Sequence, residues 1–262
     1  MLSFSANLSL LFTEVEFLER FALASSAGFR AVECQFPYPY RREALAEQLQ
    51  RCGLVQALIN LPPGDWSKGD RGIACLPDRI AEFQDSVACG IEYATALGCT
   101  RVNCLAGIPP SAADPFRLRE TFIENLRFAA RELEQYGITL VIEPLNSRDV
   151  PGFYVGTSGQ AVEIIRDVGA ANLRLQFDVY HAHIMEPDAV ASIHRHMGSI
   201  GHVQIADNPG RHEPGTGRID FDSVFGALQD ANYGGWVGCE YVPSTTTEKS
   251  LQWLYEYRSA RA

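Results

Sequence analysis

Eight times along this chain a short apolar run gives way to a longer amphipathic stretch, and no other feature restricts the fold as much. The runs at 2–7, 31–35, 54–60, 101–105, 138–143, 173–178, 201–206 and 237–240 have strand length and strand-like composition. Helical apolar spacing marks 14–27, 42–52, 78–97, a long segment ending near 136, 158–168, 188–197, 222–231 and 247–258. Gly28, Gly53 and Gly137 stand where a helix would stop, and Ser158 where one would start. Linkers this long cannot be hairpins, so the strands are expected to run parallel. Eight such units predict an α/β fold, a closed (β/α)8 barrel with its active site at the C-terminal strand ends. A doubly wound open sheet would want a glycine-rich phosphate turn after the first strand, and Ala6-Asn-Leu-Ser-Leu-Leu11 offers none. No compositional break divides the 262 residues, which predicts a single catalytic domain, 1–262.

A net charge of -10 and a pI near 5.1 argue against binding a phosphate backbone, which needs clustered Lys and Arg. No nucleic-acid partner is expected. The seven cysteines form no CxxC pair and sit largely in apolar runs, the pattern of free thiols in a reducing compartment. The first residues lack a basic, then apolar, leader, and no later stretch approaches a membrane span. A cytoplasmic protein with no membrane contact is the expectation.

Three later runs end in carboxylates and a fourth holds an amide. They are Ile138-Thr-Leu-Val-Ile-Glu143, Leu173-Arg-Leu-Gln-Phe-Asp178, Val237-Gly-Cys-Glu-Tyr241 and Gly201-His-Val-Gln-Ile-Ala206. A strand covered on both faces has no use for such groups unless they reach a cavity, a cation or a partner. Alternation puts Arg174 and Gln176 on the face of Asp178, with Leu173, Leu175 and Phe177 on the other; Gly238 likewise shares the face of Glu240. One such carboxylate would ordinarily be a strand-end salt bridge. Four polar ends on consecutive strands point to one site. Glu143, Asp178, Gln204 and Glu240 make an all-oxygen ligand set, which favours Mg²⁺ or Mn²⁺ over zinc or copper.

His181, three residues past Asp178, is placed to hydrogen-bond a substrate oxygen; His183, His194, His196 and His212 read as bystanders. Arg211, on the loop after the seventh strand, could clamp an anionic substrate, the plain alternative being an exposed loop arginine. The long connection at 61–77, rich in Gly, Pro and charge, is a candidate lid. Lys68 and Arg71 on it are weaker candidates for the same anion, and Trp66 for its apolar cover.

Several stretches together resemble the hydroxypyruvate isomerase family, within the xylose isomerase-like superfamily of barrels that also holds sugar 3-epimerases and endonuclease IV. They include Phe4-Ser-Ala-Asn-Leu-Ser9, Asn60-Leu-Pro-Pro-Gly-Asp65, Ile142-Glu-Pro-Leu-Asn146, Gln176-Phe-Asp-Val-Tyr-His181, His202-Val-Gln-Ile-Ala-Asp-Asn-Pro209 and Gly238-Cys-Glu-Tyr241. The resemblance implies Glu143 and Glu240 as the catalytic pair and Asp178 and Gln204 as the remaining metal ligands. Gln204 stands where the sugar epimerases usually carry His, which speaks for the small-substrate branch. Asn60, at the head of its motif, joins the substrate-binding candidates. The implied activity is a metal-dependent intramolecular oxidoreduction interconverting hydroxypyruvate and 2-hydroxy-3-oxopropanoate through an enediolate, with two glutamates as acid and base. That chemistry belongs to glyoxylate and carbohydrate metabolism. A 2-oxo-tetronate isomerase or a ketose 3-epimerase would share the same metal site. A non-catalytic barrel sensing a sugar acid is the rival from another class. Association into a homo-oligomer is left open by the sequence.

Overall fold

A computed structural model of the chain describes residues 1–259, so the last three residues of the expected domain lie outside it. Eight parallel strands close into a barrel in chain order: β1 Ser3–Asn7, β2 Ala31–Cys34, β3 Val55–Asn60, β4 Arg101–Cys104, β5 Thr139–Ile142, β6 Leu173–Asp178, β7 Ile200–Ile205 and β8 Trp236–Cys239. Closure is made by β8 against β1, with Ser3 opposite Trp236 and Ser5 opposite Gly238. The helices lie outside: α1 Arg20–Ser26, α2 Arg42–Cys52, α3 Ile80–Ala96, α4 Pro115–Glu134, α5 Ser158–Val168, α6 Val179–Met185, α7 Ala189–His196, α8 Phe221–Asp230, α9 Thr247–Ser250 and α10 Gln252–Ser259. None of the described helices is long and apolar enough to cross a membrane.

Strand alternation sorts the chain as its pattern predicts. Leu173, Leu175 and Phe177 pack into the apolar layer between strands and helices, whereas Gln176 and Asp178 are buried on the opposite face. Such barrels are mostly filled with branched apolar side chains. Here the interior carries Ser5, Asn7, Glu33, Gln176, His202 and Gln204, all buried. Buried polar groups need partners, and these residues bond to one another, with Gln176 Oε1 and His202 Nδ1 left unpaired.

Three departures from the sequence pattern have local causes. The segment at 14–16 is not helical, because the Glu14 carboxylate is drawn to Thr247, accepting from its backbone N–H at 2.7 Å and its hydroxyl at 3.0 Å. The C-terminal helix breaks at Leu251; the Ser250 hydroxyl bonds the Thr247 carbonyl at 2.7 Å, one of several local competitors to the helical ladder. And α6 forms directly from β6, since Asp178 Oδ1 caps it, accepting from the N–H of Tyr180 (2.7 Å) and His181 (3.4 Å). Seven residues are too few for helical periodicity to show. The 61–76 connection is held rather than loose: Asp70 accepts from Asp65 N–H and from Arg79, both at 2.7 Å, and Gly72 is bridged to Ala106.

Candidate active site

At the C-terminal mouth of the barrel, a cavity of about 290 Å³ is walled by Asn60, Arg71, Glu143, His181, Arg211 and Glu240, with Phe36 and Trp66 as an aromatic side. The elements explain the convergence. Glu143 and Glu240 directly follow β5 and β8, and Asp178 ends β6 opposite Gln204 of β7. His181 is carried inward by α6. Arg211 comes from a loop at φ +55° whose backbone is gathered by the buried Asp207 carboxylate. Asp207 accepts from the N–H of Asn208, Gly215, Gly217 and Ile219 at 2.7–3.1 Å.

The charges are closely packed. Burial, then the neighbouring charges of Glu240 and Asp178, push the Glu143 carboxyl well above its usual range. Burial also raises Glu240 and Asp178, against the opposing pull of Arg211. Arg211 Nη2 lies 2.6 Å from Glu240 Oε2 and 3.8 Å from Asp178 Oδ2, its guanidinium 5.3 Å from the Tyr180 ring centre. Glu240 Oε1 accepts from Gln35 at 2.9 Å and Asn7 at 3.3 Å, and Glu143 Oε2 accepts from Asn103 at 2.9 Å. Three carboxylates thus share one guanidinium.

The residues fit a divalent cation. Glu143, Asp178 and His181 offer ligand-type atoms all within 4.8 Å of one another, and Asp178 Oδ2 is buried without a hydrogen-bond donor. A buried carboxylate oxygen with no hydrogen bond, and only the shared charge of Arg211 at 3.8 Å to balance it, suits a hard cation. His181 takes a different part. Its Nδ1 accepts from the Asn146 backbone N–H at 3.1 Å, so the ring proton sits on Nε2, which points toward Asp178 at 3.7 Å. A protonated Nε2 is a donor and not a ligand. Burial and the nearby Arg211 lower the His181 pKa to about 3, keeping the ring neutral.

Beneath this ring of groups lies a residue that the strand-end pattern passes over. Glu33, in the middle of β2, is fully buried and accepts from Ser5 Oγ (2.9 Å), Asn7 Nδ2 (3.2 Å), His202 Nε2 (2.9 Å) and Gln204 Nε2 (2.8 Å). Burial pushes its carboxyl up, but His202 and these hydrogen bonds more than offset it and hold it below the ordinary range. The available signal was a charge inside Ala31-Val-Glu-Cys34, the same test that singles out Glu240. Gln204 gives its amide oxygen to Gln176 Nε2 at 2.6 Å, leaving one lone pair for another partner.

Of the residues expected from the sequence, Glu143, Glu240, His181, Arg211, Asn60 and Arg71 line this cavity and Asp178 lies beside Glu143, His181 and Arg211, whereas Gln204, paired with Asp178 across the strands, does not line it and is bonded to Gln176 and Glu33. Arg71 stacks over Trp66, 3.8 Å from the ring centre. Lys68 does not join them. It is 82% exposed and paired with Asp65 at 2.8 Å, outside the cavity wall.

A family profile described as xylose isomerase-like TIM barrel matches residues 21–257. The chain is 49% identical over 258 residues to the hydroxypyruvate isomerase of Escherichia coli (strain K12), covering 98% of this chain and all of that one. It is 44% identical to the 2-oxo-tetronate isomerase of Cupriavidus necator, covering 97% of this chain and 98% of the relative. A solved structure named as an AP endonuclease, family 2, from Brucella melitensis superposes with a TM-score of 0.96 at 44% identity, over 98% of this chain and 99% of that one.

Proposed function

The chain belongs to the xylose isomerase-like TIM-barrel family and is an isomerase of the hydroxypyruvate isomerase and 2-oxo-tetronate isomerase group; from that premise we propose that its substrate pair is hydroxypyruvate and 2-hydroxy-3-oxopropanoate. The observation that carries the reading is the pairing of Glu143 and Glu240, two buried carboxyls of raised pKa facing one small cavity with two guanidiniums in its wall. Two carboxyls that face one cavity supply a base and an acid when one of them carries the proton taken from the substrate. One carboxylate takes the proton from C3 beside the substrate carbonyl, the other returns a proton at C2, and the hydroxyl proton of O3 passes to O2, so the C3 alcohol becomes the aldehyde as the C2 ketone becomes the alcohol. Glu143, Asp178, Gln204 and Glu240 would hold Mg²⁺ or Mn²⁺, which when bound supplies Lewis-acid stabilisation of the negative charge that builds on the two substrate oxygens. His181 donates a hydrogen bond from its Nε2–H to one of those oxygens and keeps its proton. Arg211 Nε, buried and without an acceptor, and Arg71, also lining the cavity, bind the substrate carboxylate. Asn60 lines the same cavity. Trp66 and Phe36, with ring centres 5.1 Å apart, limit entry of water over the reacting carbons.

A four-carbon 2-oxo acid is the second reading, supported by the 44% identity to a 2-oxo-tetronate isomerase. A substrate panel separates them: hydroxypyruvate, 2-oxo-tetronate and free ketoses, each with Mg²⁺, Mn²⁺ or EDTA. The highest kcat/KM is expected for hydroxypyruvate, with loss in EDTA. A higher value for the four-carbon acid selects the second reading. Faster turnover of a free ketose, or turnover indifferent to EDTA, overturns the proposal.

A further inference from the structure

We propose that Glu33 is the positioning residue of this site: an acceptor-only group under the barrel mouth that sets which end of the Gln204 amide, and through Asn7 which orientation of Glu240, faces the cation. The inference rests on the metal reading above.

An amide has two ends of nearly equal shape and opposite polarity, so nothing in the packing of Gln204 alone decides which points to the mouth. Its neighbours decide. Glu33 Oε1 accepts from Gln204 Nε2 at 2.8 Å, so the amide oxygen must turn the other way, where it accepts from Gln176 Nε2 at 2.6 Å, on the strand position paired with Asp178. The same Glu33 oxygen accepts from Asn7 Nδ2 at 3.2 Å, and that Nδ2 also reaches Glu240 Oε1 at 3.3 Å. Asn7 is locked from its other end, since its Oδ1 accepts from the Ser9 N–H at 3.0 Å. Four donors, from Ser5, Asn7, His202 and Gln204, converge on one carboxylate, and no arrangement of a neutral amide in its place could accept from all four.

A second observation shows that the fold makes room for this carboxylate. Gly238, opposite Gln204 in the β7–β8 ladder, lies against Glu33, and a Cβ built on it would overlap both carboxylate oxygens. Any side chain there would displace Glu33. The glycine in Val237-Gly-Cys-Glu240 is therefore the complement of a charge about two hundred residues earlier in the chain.

Glu33 does not line the cavity and has its carboxylate oxygens occupied by Ser5, Asn7, His202 and Gln204, so it acts through Gln204 and Asn7. In Glu33→Gln the new amide can present its N–H₂ group to Gln204, whose amide must then turn over and offer N–H₂ to the cation. The decisive measurement is Mn²⁺ binding by calorimetry to the full chain, its E33Q variant, and the exchanged pair E33Q/Q204E, alongside KM and kcat. Outer groups that orient metal ligands are worth about 10- to 100-fold in affinity. E33Q is expected to bind Mn²⁺ weaker by that factor, and its metal-free chain to unfold at a somewhat lower temperature because not all four buried donors keep an acceptor, the affinity being read well below that temperature. The exchanged pair is expected to recover most of the affinity, because the amide introduced in β2 then donates to a carboxylate in β7, an acceptor that has no wrong end. Unaltered Mn²⁺ affinity in E33Q, or an exchanged pair that folds and binds no better than E33Q, overturns the inference while leaving the metal site standing. Absence of Mn²⁺ binding by the unaltered chain overturns the metal reading and this inference with it. If E33Q alone does not fold, the exchanged pair decides: folded with near-native affinity supports the proposal, and folded without it, or unfolded, overturns it.

Discussion

Arg211→Met removes the one positive charge among three buried carboxylates while keeping an apolar stem of similar reach over Tyr180. In the unaltered chain the guanidinium lies 2.6 Å from Glu240 and 3.8 Å from Asp178, with 27% of the side chain exposed. Unit charges about 4 Å apart attract by roughly 4 kcal/mol at an effective dielectric of about 20. The loss has a ceiling, because Glu240 can take up a proton instead. Holding a carboxyl of ordinary pKa near 4.3 neutral at pH 7 costs at most about 3.7 kcal/mol. At pH 5 the same ceiling falls to about 1 kcal/mol. The sign follows from proton counting. A carboxyl raised in the folded state binds more protons there than in the unfolded chain, so the variant gains stability as pH falls from 7 toward 4.3. Urea unfolding followed by circular dichroism, in EDTA at pH 5, 6 and 7, reads this directly. The expected deficit against the unaltered chain is about 3–4 kcal/mol at pH 7, shrinking to about 1 kcal/mol at pH 5. A deficit that stays the same at both pH values, or one below about 1 kcal/mol at pH 7, refutes the idea that Arg211 compensates the carboxylate cluster.

Other perturbations probe separate parts of the site. Glu143→Gln and Glu240→Gln are each expected to lower kcat by about 10²- to 10⁴-fold with unchanged far-UV circular dichroism, and full turnover by either variant would sink the two-glutamate chemistry. Arg71→Ala is expected to raise KM for the anionic substrate with little effect on kcat, whereas Lys68→Ala leaves both alone; the reverse pattern would contradict a cavity wall that includes Arg71 and leaves Lys68 outside. Saturating the chain with Mn²⁺ at about a hundred times its Kd is expected to add about 2.7 kcal/mol of stability, reversed by EDTA, and no shift in the unfolding midpoint would count against a native-state metal site.

The barrel was legible because its evidence is repetitive. Eight strand-length runs separated by helix-length stretches leave few alternatives, and errors of a residue or two at each boundary do not alter the count. Glycine stops were equally local: Gly53 and Gly137 end α2 and the turn after α4 at φ +63° and +67°, where a side chain would be strained. Glu143, Asp178 and Glu240 could be found because a carboxylate closing an apolar run is anomalous within six residues of sequence. The missed α6 shows the limit of that approach, since its start depends on Asp178 serving as both strand end and helix cap.

What sequence alone determined is which side chains point inward and what chemistry each could offer, since periodicity and composition are properties of neighbours along the chain. Only the tertiary structure decided which inward groups meet. Lys68 and Arg71 are three residues apart on one loop, yet Lys68 pairs with Asp65 in solvent while Arg71 stacks on Trp66 at the cavity wall. Arg211 read as a free clamp, and the fold binds it to Glu240. Glu33 gains its meaning from β1, β7 and β8, through Asn7, Gln204 and the space left by Gly238. Electrostatics and hydrogen bonding depend on distance in space, and in a closed barrel the nearest groups come from strands up to 233 residues apart.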